Sequence, residues 1–418
     1  MRPPGHRGTA GIAAVLTLAM ACATFLGAAL SVLAPFLVED LDISRAELGW
    51  LFTAFGGVGA AASVTAGQAT DRVGGRRVLD GLFAVAALCV VGAAAAPSYA
   101  WLAVAVLVGG LGNAAGNPAT NKLIALHAPP GRRGVITGVK QSGVAVSMFL
   151  AGALLPLGAV ALGWRPALAL TALVPLAGML AAARVVPGDP PEPRTRGGRR
   201  PRVRVRQPAA IRWIAAYGVL MGAGGGAIYS YLPLYAYEEV GLSATAAGVA
   251  AAVLGFVAIV ARFLWSWRTE HVTDFAVPLG ALALASVAAS LAIWGAATGG
   301  PWLLWVGAVA AGASVAAWNT VGMLAVIVLA DAANAGRASG LVLLGFLGGY
   351  TVSPVLFGYA ADRTGGYGLG WGATTAVLAA AVLVTWLWRR SARAAGPDDA
   401  RPTTPASPRR RDRRAREG

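Results

Sequence analysis

Two cationic side chains stand inside long apolar segments of this sequence, where a charge is costly and needs a reason. Lys140 lies about seven residues into its segment and Arg262 about five residues from the polar end of another, roughly 10 Å and 7–8 Å deep at the rise of an α-helix. The acids Asp80, Asp274 and Asp331 stand near segment ends, so no protein counter-ion is expected at that depth. A solute would then supply the negative charge, and the donor fork of arginine suits carboxylate or phosphate. The alternative for both cations is bonding to helix carbonyl groups or to lipid phosphate.

Polar side chains that could complete such a site recur at a similar depth. Asn113, Asn117 and Asn121 are spaced four residues apart, and this spacing places them on one face of a helix. Asn319 occupies the matching depth in a later segment. The alternative for these amides is hydrogen bonding between neighbouring helices. The predicted substrate-binding residues are Asn113, Asn117, Lys140, Gln141, Tyr229, Arg262 and Asn319.

Enzymatic chemistry is not indicated. His6, His127 and His271 stand at tails or loop edges, and no nucleotide-binding loop is recognised. Cys22 and Cys89 lie inside apolar runs, with a spacing and context that suggest neither a disulfide nor a metal site. We therefore expect no catalytic residue, no metal and no cofactor, and the energy for any transport would come from a gradient or from exchange.

The composition indicates that these segments lie in a membrane. The chain is 57% hydrophobic and 12% charged, whereas soluble domains carry about 25% charged residues. The apolar runs are long and continuous, which indicates spanning helices and excludes the alternating strands of a barrel. Six runs lie between residues 9 and 186 and six between 210 and 388. The predicted fold is an all-α membrane protein with twelve transmembrane helices in two pseudo-symmetric six-helix bundles.

The basic residues predict the orientation of the chain. The formal charge is +16, and arginines cluster in the two tails and in a Pro/Arg-rich middle stretch. The positive-inside rule then places both termini in the cytoplasm, on the inner side of what we expect to be a bacterial plasma membrane, with Arg45, Arg165 and Arg363 as exceptions. Lipid head groups explain the basic tails better than nucleic acid does, and a monomer is expected. The predicted domains are 1–186 (N-terminal bundle), 187–209 (cytoplasmic linker), 210–390 (C-terminal bundle) and 391–418 (disordered basic tail).

An internal repeat links the two sets of segments. A shift of 199 residues lays Leu30–Ser44 on Tyr229–Ser243 without a gap and pairs Asp71 with Glu270. Chance matches are the alternative in a sequence so rich in alanine, glycine and leucine. The shared shift across two segments argues against chance, and duplicated halves around a central site are typical of transporters.

The segment Gly67–Arg77 is the most specific string in the chain. It resembles the GxLaDrxGrk loop of the major facilitator superfamily, in which this loop latches the two halves in one access state. The matching residues are Gly67, Asp71, Arg72, Gly74 and Arg76, while Gly75 departs from the usual basic residue and Arg77 supplies a second one. The alternative is a solvated turn that only sets topology.

The resemblance implies a secondary transporter that works by alternating access. We expect the solute to be small, anionic and organic, with a proton as a candidate coupling ion and membrane lipids as neighbours. Anion carriers of that superfamily, including nitrate porters, are similar in having an eighth-helix arginine. The repeat places Ser63 opposite Arg262, which departs from the second-helix partner of nitrate porters. The alternatives are a drug or metabolite efflux antiporter, which would require an acid in the cavity, and a non-transporting sensor.

Overall fold

The computed structural model describes residues 6–189, 209–269, 271–330 and 335–394. Its first half contains nine α-helices: α1 His6–Val32, α2 Ala34–Leu41, α3 Arg45–Val73, α4 Gly75–Ala94, α5 Tyr99–His127, α6 Arg133–Gln141, α7 Gly143–Leu162, α8 Trp164–Leu170 and α9 Leu173–Val185. The second half contains seven: α10 Ala209–Glu238, α11 Ala244–Thr269, α12 Ala276–Gly299, α13 Trp302–Ala313, α14 Trp318–Leu329, α15 Ala335–Thr364 and α16 Gly368–Ala394.

These helices make twelve crossings within the described ranges, because α6–α7, α8–α9 and α13–α14 each form one span. The predicted fold class is therefore confirmed. Most of the predicted linker, residues 190–208, lies outside the described residues, while α10 begins at Ala209, the last residue of the predicted linker. Glu270, Asp331 and the tail from 395 onward also lie outside the described residues. Helix α16 extends to Ala394, four residues into the predicted tail.

Short polar signals set the helix ends. Ser44 and Glu47 form a capping box at the start of α3, with bonds of 3.1 and 2.8 Å between each side chain and the other's backbone nitrogen. Gly74 turns the chain between α3 and α4 with φ of +104°, a conformation that favours glycine. We name the face that carries Gly74 the terminal face, since α1 begins and α16 ends there, and the face that carries Ser44 the opposite face.

The two halves meet through small residues. A Cβ atom on Gly255 of α11 would lie 2.7 Å from the Phe149 nitrogen of α7, and one on Gly49 of α3 would lie 2.5 Å from the Pro354 carbonyl of α15. Backbones approach this closely in membrane bundles where small residues line the contact. The repeat is visible in space as well. Ser31, which the 199-residue shift pairs with Ser230, places its hydroxyl 3.5 Å from the Ser230 carbonyl.

Candidate substrate-binding site

The fifth crossing is broken between α6 and α7, and the break releases a carbonyl group. The Ala145 nitrogen bonds to the Ser142 carbonyl at 3.0 Å, whereas an unbroken helix would direct it to Gln141, four residues earlier. The Gln141 carbonyl instead accepts a hydrogen bond from Nη1 of Arg262 at 3.0 Å. Arg262 belongs to α11, so this bond joins the two halves.

The tenth crossing has a matching break between α13 and α14. In an unbroken helix the Thr320 nitrogen would bond the Ala316 carbonyl, but it bonds the Ala317 carbonyl instead, at 3.0 Å. The Ala316 carbonyl is thus released and accepts a hydrogen bond from Nε of Arg262 at 3.3 Å. One turn along α11, Trp265 donates to the Ala313 carbonyl at 3.0 Å. Breaks in membrane helices are tolerated where the backbone is buried in protein or lines a water-filled cavity.

Arg262 is half-buried at the meeting point of these two breaks. A guanidinium carries five N–H donors, and those left after the two carbonyl bonds have no acceptor in the part of the chain that the structure describes. Tyr229 of α10 lies close enough to interact with this charge. The Tyr350 ring stands 6.3 Å from the Tyr229 ring, and neither hydroxyl bonds to a described residue. Arg262 therefore keeps donors for a further acceptor, beside two phenol groups.

Lys140 has a different environment. Its Nζ donates to Asn117 Oδ1, Thr120 Oγ1 and Asn121 Oδ1, each at 2.9 Å. The side chain is 1% exposed, and none of the described carboxylates pairs with it. Three neutral oxygens thus match the three donors of the ammonium group.

The remaining predicted residues are distributed as follows. Asn113 packs against α3, where a Cβ atom on Gly59 would lie 2.9 Å from its amide nitrogen. The Asn319 Oδ1 atom is enclosed without a described partner. The structure thus brings Asn117 to Lys140, and Gln141 and Tyr229 to Arg262. The sequence reasoning missed Thr120 and Tyr350, although Thr120 stands on the same helical face as Asn117, three residues away.

At the opposite face, an ionic network closes the two halves over this region. Arg45 of α3 lies 2.6 Å from Glu238 of α10, and the Tyr367 hydroxyl donates to the same carboxylate at 2.9 Å. Burial, and then the nearby Glu238 charge, raise the pKa of Tyr367, so this phenol remains a neutral donor. Asp362 of α15 accepts from the backbone nitrogens of Arg45 and Ala46 at 3.2 and 2.8 Å, and so caps α3 from the other half.

Toward the terminal face the halves part. Contacts between α3 and α15 continue from Arg45 as far as Gly57 and Thr351. Beyond them, Ser63 and Val64 of α3 and Leu344 of α15 are exposed. Between α3 and α15 the halves are therefore joined at the opposite face and separated toward the terminal face.

A sequence profile for the Major Facilitator Superfamily matches residues 16–330. The chain belongs to the Major Facilitator Superfamily. A probable nitrate/nitrite transporter, NarK2 of Mycobacterium tuberculosis (strain ATCC 25618 / H37Rv), is 31% identical over 349 residues, which cover 78% of this chain and 82% of that protein. The hexuronate transporter of Bacillus subtilis (strain 168) is 28% identical over 148 residues, about a third of either chain.

Solved structures of Major Facilitator Superfamily type show the same fold. A bacterial homologue of the human lysosomal transporter Spinster, inward-facing and unoccupied, superimposes with a TM-score of 0.72 at 17% identity, over 93% of this chain and 98% of that one. A D-xylose–proton symporter gives 0.72 at 16% identity, over 90% and 97%. The predictions of a multi-pass membrane transporter of small solutes, and not an enzyme, are confirmed.

The loop predicted to latch the halves of this Major Facilitator Superfamily member contacts its own half in this conformation. Arg76 donates to the carbonyls of Ala182 and Val186 at the end of α9 and pairs with Asp80 at 3.0 Å. Asp71, Arg72 and Arg77 are exposed. A Cβ atom on Gly67 would meet nothing within 4 Å, so no described helix packs closely against this glycine in this conformation.

Proposed function

We propose that this chain carries a small anionic organic solute across the membrane by alternating access, with Arg262 as the main contact for the negative charge. One observation carries the proposal. Two cations lie beside the α6–α7 break, Lys140 on α6 itself and Arg262 bonded to the neighbouring Gln141 carbonyl, and neither pairs with a carboxylate among the described residues.

The distribution of acids supports an anion rather than a cation as the solute. The described carboxylates all lie near the two faces: Glu39, Asp40, Asp42, Glu47, Glu238, Glu239 and Asp362 at the opposite face, and Asp71, Asp80, Asp189 and Asp274 at the terminal face. A cationic drug would need a carboxylate at the depth of Arg262, because an unpaired charge is costly there. This argues against the efflux alternative.

The surroundings of Arg262 favour a carboxylate on a carbon skeleton. The guanidinium can bond a carboxylate through two parallel N–H groups. Tyr229, Tyr350 and Phe346 form a continuous aromatic row, with ring centroids 6.3 and 5.6 Å apart, against which an organic skeleton can pack. The hexuronate transporter relative, named for a carboxylate sugar, fits this choice.

The nitrate/nitrite relative favours a second candidate, a small inorganic oxyanion. Ser63, at the position that the repeat relates to Arg262, is exposed and bonds its own helix at Ala60. It supplies no second guanidinium for a flat inorganic anion, so we rank this candidate below the organic one.

The transport cycle would reopen contacts that now join the halves. With the terminal face assigned to the cytoplasm by the positive-inside rule, the present conformation is open to the cell interior, in a bacterial cytoplasmic membrane. A solute anion bound by Arg262 would offset the charge of this residue while its bond to Gln141 is exchanged. A coupling proton would travel with the solute, since the described residues offer no carboxylate at this depth. The carrier would work as a monomer surrounded by lipid.

The test is equilibrium binding and counterflow with purified protein, using D-glucuronate, oxalate, nitrate, D-xylose and a cationic dye. We expect saturable binding of the organic anions. Binding should be about 10- to 100-fold weaker in Arg262→Ala, which corresponds to a loss of about 1.4 to 2.8 kcal/mol of binding free energy. Arg268→Ala is the matched control, since Arg268 lies on the same helix and is exposed at its end. Binding of the neutral or cationic probe that persists in Arg262→Ala, with no anion bound by the wild type, would overturn the proposal.

A further inference from the structure

The Lys140 ammonium has no donor left for a solute. An ammonium group has three N–H donors and no acceptor. All three are used, at 2.9 Å each, by Asn117, Thr120 and Asn121 of α5. The side chain is also 1% exposed, so a solute in the open cavity reaches this charge only through the residues around it.

The same three bonds fix the orientation of two amide groups. Because the ammonium cannot accept a hydrogen bond, Asn117 and Asn121 must both direct their oxygens toward Lys140. Their NH₂ groups then point away from Lys140. Both asparagines are exposed, and they stand one helical turn apart on one face of α5. Their amide nitrogens bond to no described residue.

Both exposed asparagines lie within the membrane-spanning part of α5. Asn117 is ten and Asn121 six residues from the end of α5 at His127, roughly 15 and 9 Å from the terminal face at 1.5 Å per residue. Exposed amides at such a depth belong on the bundle interior or a water-filled cavity, not against lipid. The positive ends of two amide dipoles are thus presented to the cavity, and the buried cation behind them strengthens these dipoles by polarisation.

We propose that Lys140 is a positioning residue, which holds Asn117 and Asn121 so that their amide N–H groups bind the anionic group of the solute from the first half. This deepens the proposed function and rests on it. Arg262 then binds from the second half, and Asn121 becomes a binding residue beside Asn117. Thr120 is buried and only anchors the ammonium.

Mutations at the three acceptors separate positioning from direct contact. The probe is D-glucuronate, with binding measured by calorimetry and the melting temperature of the unliganded protein measured in parallel. We expect Asn117→Ala and Asn121→Ala each to weaken binding about tenfold. Thr120→Val removes the third acceptor without removing an amide, so it should lower the melting temperature and weaken binding less than either asparagine change. The matched control is Thr137→Ala, since Thr137 is exposed on α6 and bonds only a carbonyl of its own helix. Its affinity should stay within about twofold of the wild type.

Combined variants test whether Lys140 acts through the amides. In a Lys140→Met background, Asn121→Ala should cause no further loss of affinity, since the amide is no longer oriented. Lys140→Arg, which keeps the charge and donors, should recover part of the lost affinity. Additive losses of affinity in the double variant would overturn this inference and leave the proposed function standing. Unchanged affinity in both asparagine variants, with binding abolished in Arg262→Ala, would have the same meaning. A wild type that binds no anion would overturn both.

Discussion

Arg262 of α11 and Gln141 of α6 are joined across the boundary of the two halves by a hydrogen bond of 3.0 Å. The acceptor is a backbone carbonyl that the break before α7 has released. A second bond of 3.3 Å to Ala316 ties the same guanidinium to the broken tenth crossing. One arginine therefore connects two interrupted helices, and any rocking of the halves must exchange the Gln141 bond.

The first prediction concerns the stability of this junction. Arg262→Gln should lower the unfolding free energy by about 1–2 kcal/mol, because side-chain hydrogen bonds inside membrane bundles contribute about 1 kcal/mol each. Reversible denaturation in mixed detergent measures the change. Arg268→Gln should differ from the wild type by less than about 0.5 kcal/mol, as surface substitutions usually do. Equal losses in the two variants would remove the structural role assigned to Arg262.

The second prediction concerns the ionic network at the opposite face. Glu238→Gln removes the charge that pairs with Arg45 across the halves and should shift the population toward the state open at that face. Spin labels on cysteines placed at the exposed positions Ser98 and Thr298, one in each half, report the distance. We expect a longer component to grow in the variant.

The control for that experiment is an ion pair within one half. Asp274 and Arg389 lie 3.2 Å apart at the terminal face, both in the second half. Asp274→Asn should therefore leave the Ser98–Thr298 distance distribution unchanged. A shift of similar size in this control would mean that the network does not set the conformational balance.

The third prediction separates two neighbouring arginines of the α3–α4 loop. Arg76 bonds the last carbonyls of α9, whereas Arg77 is exposed. Arg76→Gln should lower the unfolding free energy by about 1–3 kcal/mol, the range for hydrogen bonds to charged groups and for buried groups left unsatisfied. Arg77→Gln should cost less than about 0.5 kcal/mol. Thermal melting in detergent ranks the two variants, and the reverse order would contradict the assignment.

The fourth prediction concerns Asp71, whose side chain is exposed and bonds to no described residue in this conformation. If this carboxylate serves the state closed at the terminal face, Asp71→Asn should leave solute affinity near the wild-type value and reduce turnover severalfold. Counterflow rates and equilibrium binding, measured on the same preparation, distinguish these quantities. An affinity loss without a change in turnover would assign Asp71 to the solute site instead.

Much of the fold could be predicted from the sequence, because a spanning helix is fixed by length and hydropathy. The 199-residue repeat aligned Ser31 with Ser230 in the sequence, and in the structure these two equivalent residues contact each other. The breaks at Ser142 and Ser314 were not predicted. Both lie inside segments that read as single spans, and the released carbonyls are bonded by Arg262 and Trp265 of another helix, α11.

The site was predicted as a set of residues but not as an arrangement. The depth of Lys140 was evident from its position, but its three acceptors depend on how α5 packs against α6. Two of the three exceptions to the positive-inside rule also have a spatial cause. Arg45 pairs with Glu238, and Arg165 pairs with Asp40 at 2.5 Å, so neighbouring acids offset these charges on the opposite face.

The Asp362 carboxylate completes the start of α3, a helix of the other half. The boundary between the halves therefore supplies part of the local structure of each, far from Arg262. Substitutions at Asp362 and its partners can therefore change the populations of the two access states of the unloaded carrier without changing the residues around Arg262. Solute specificity and the resting orientation of the carrier can thus evolve through different residues.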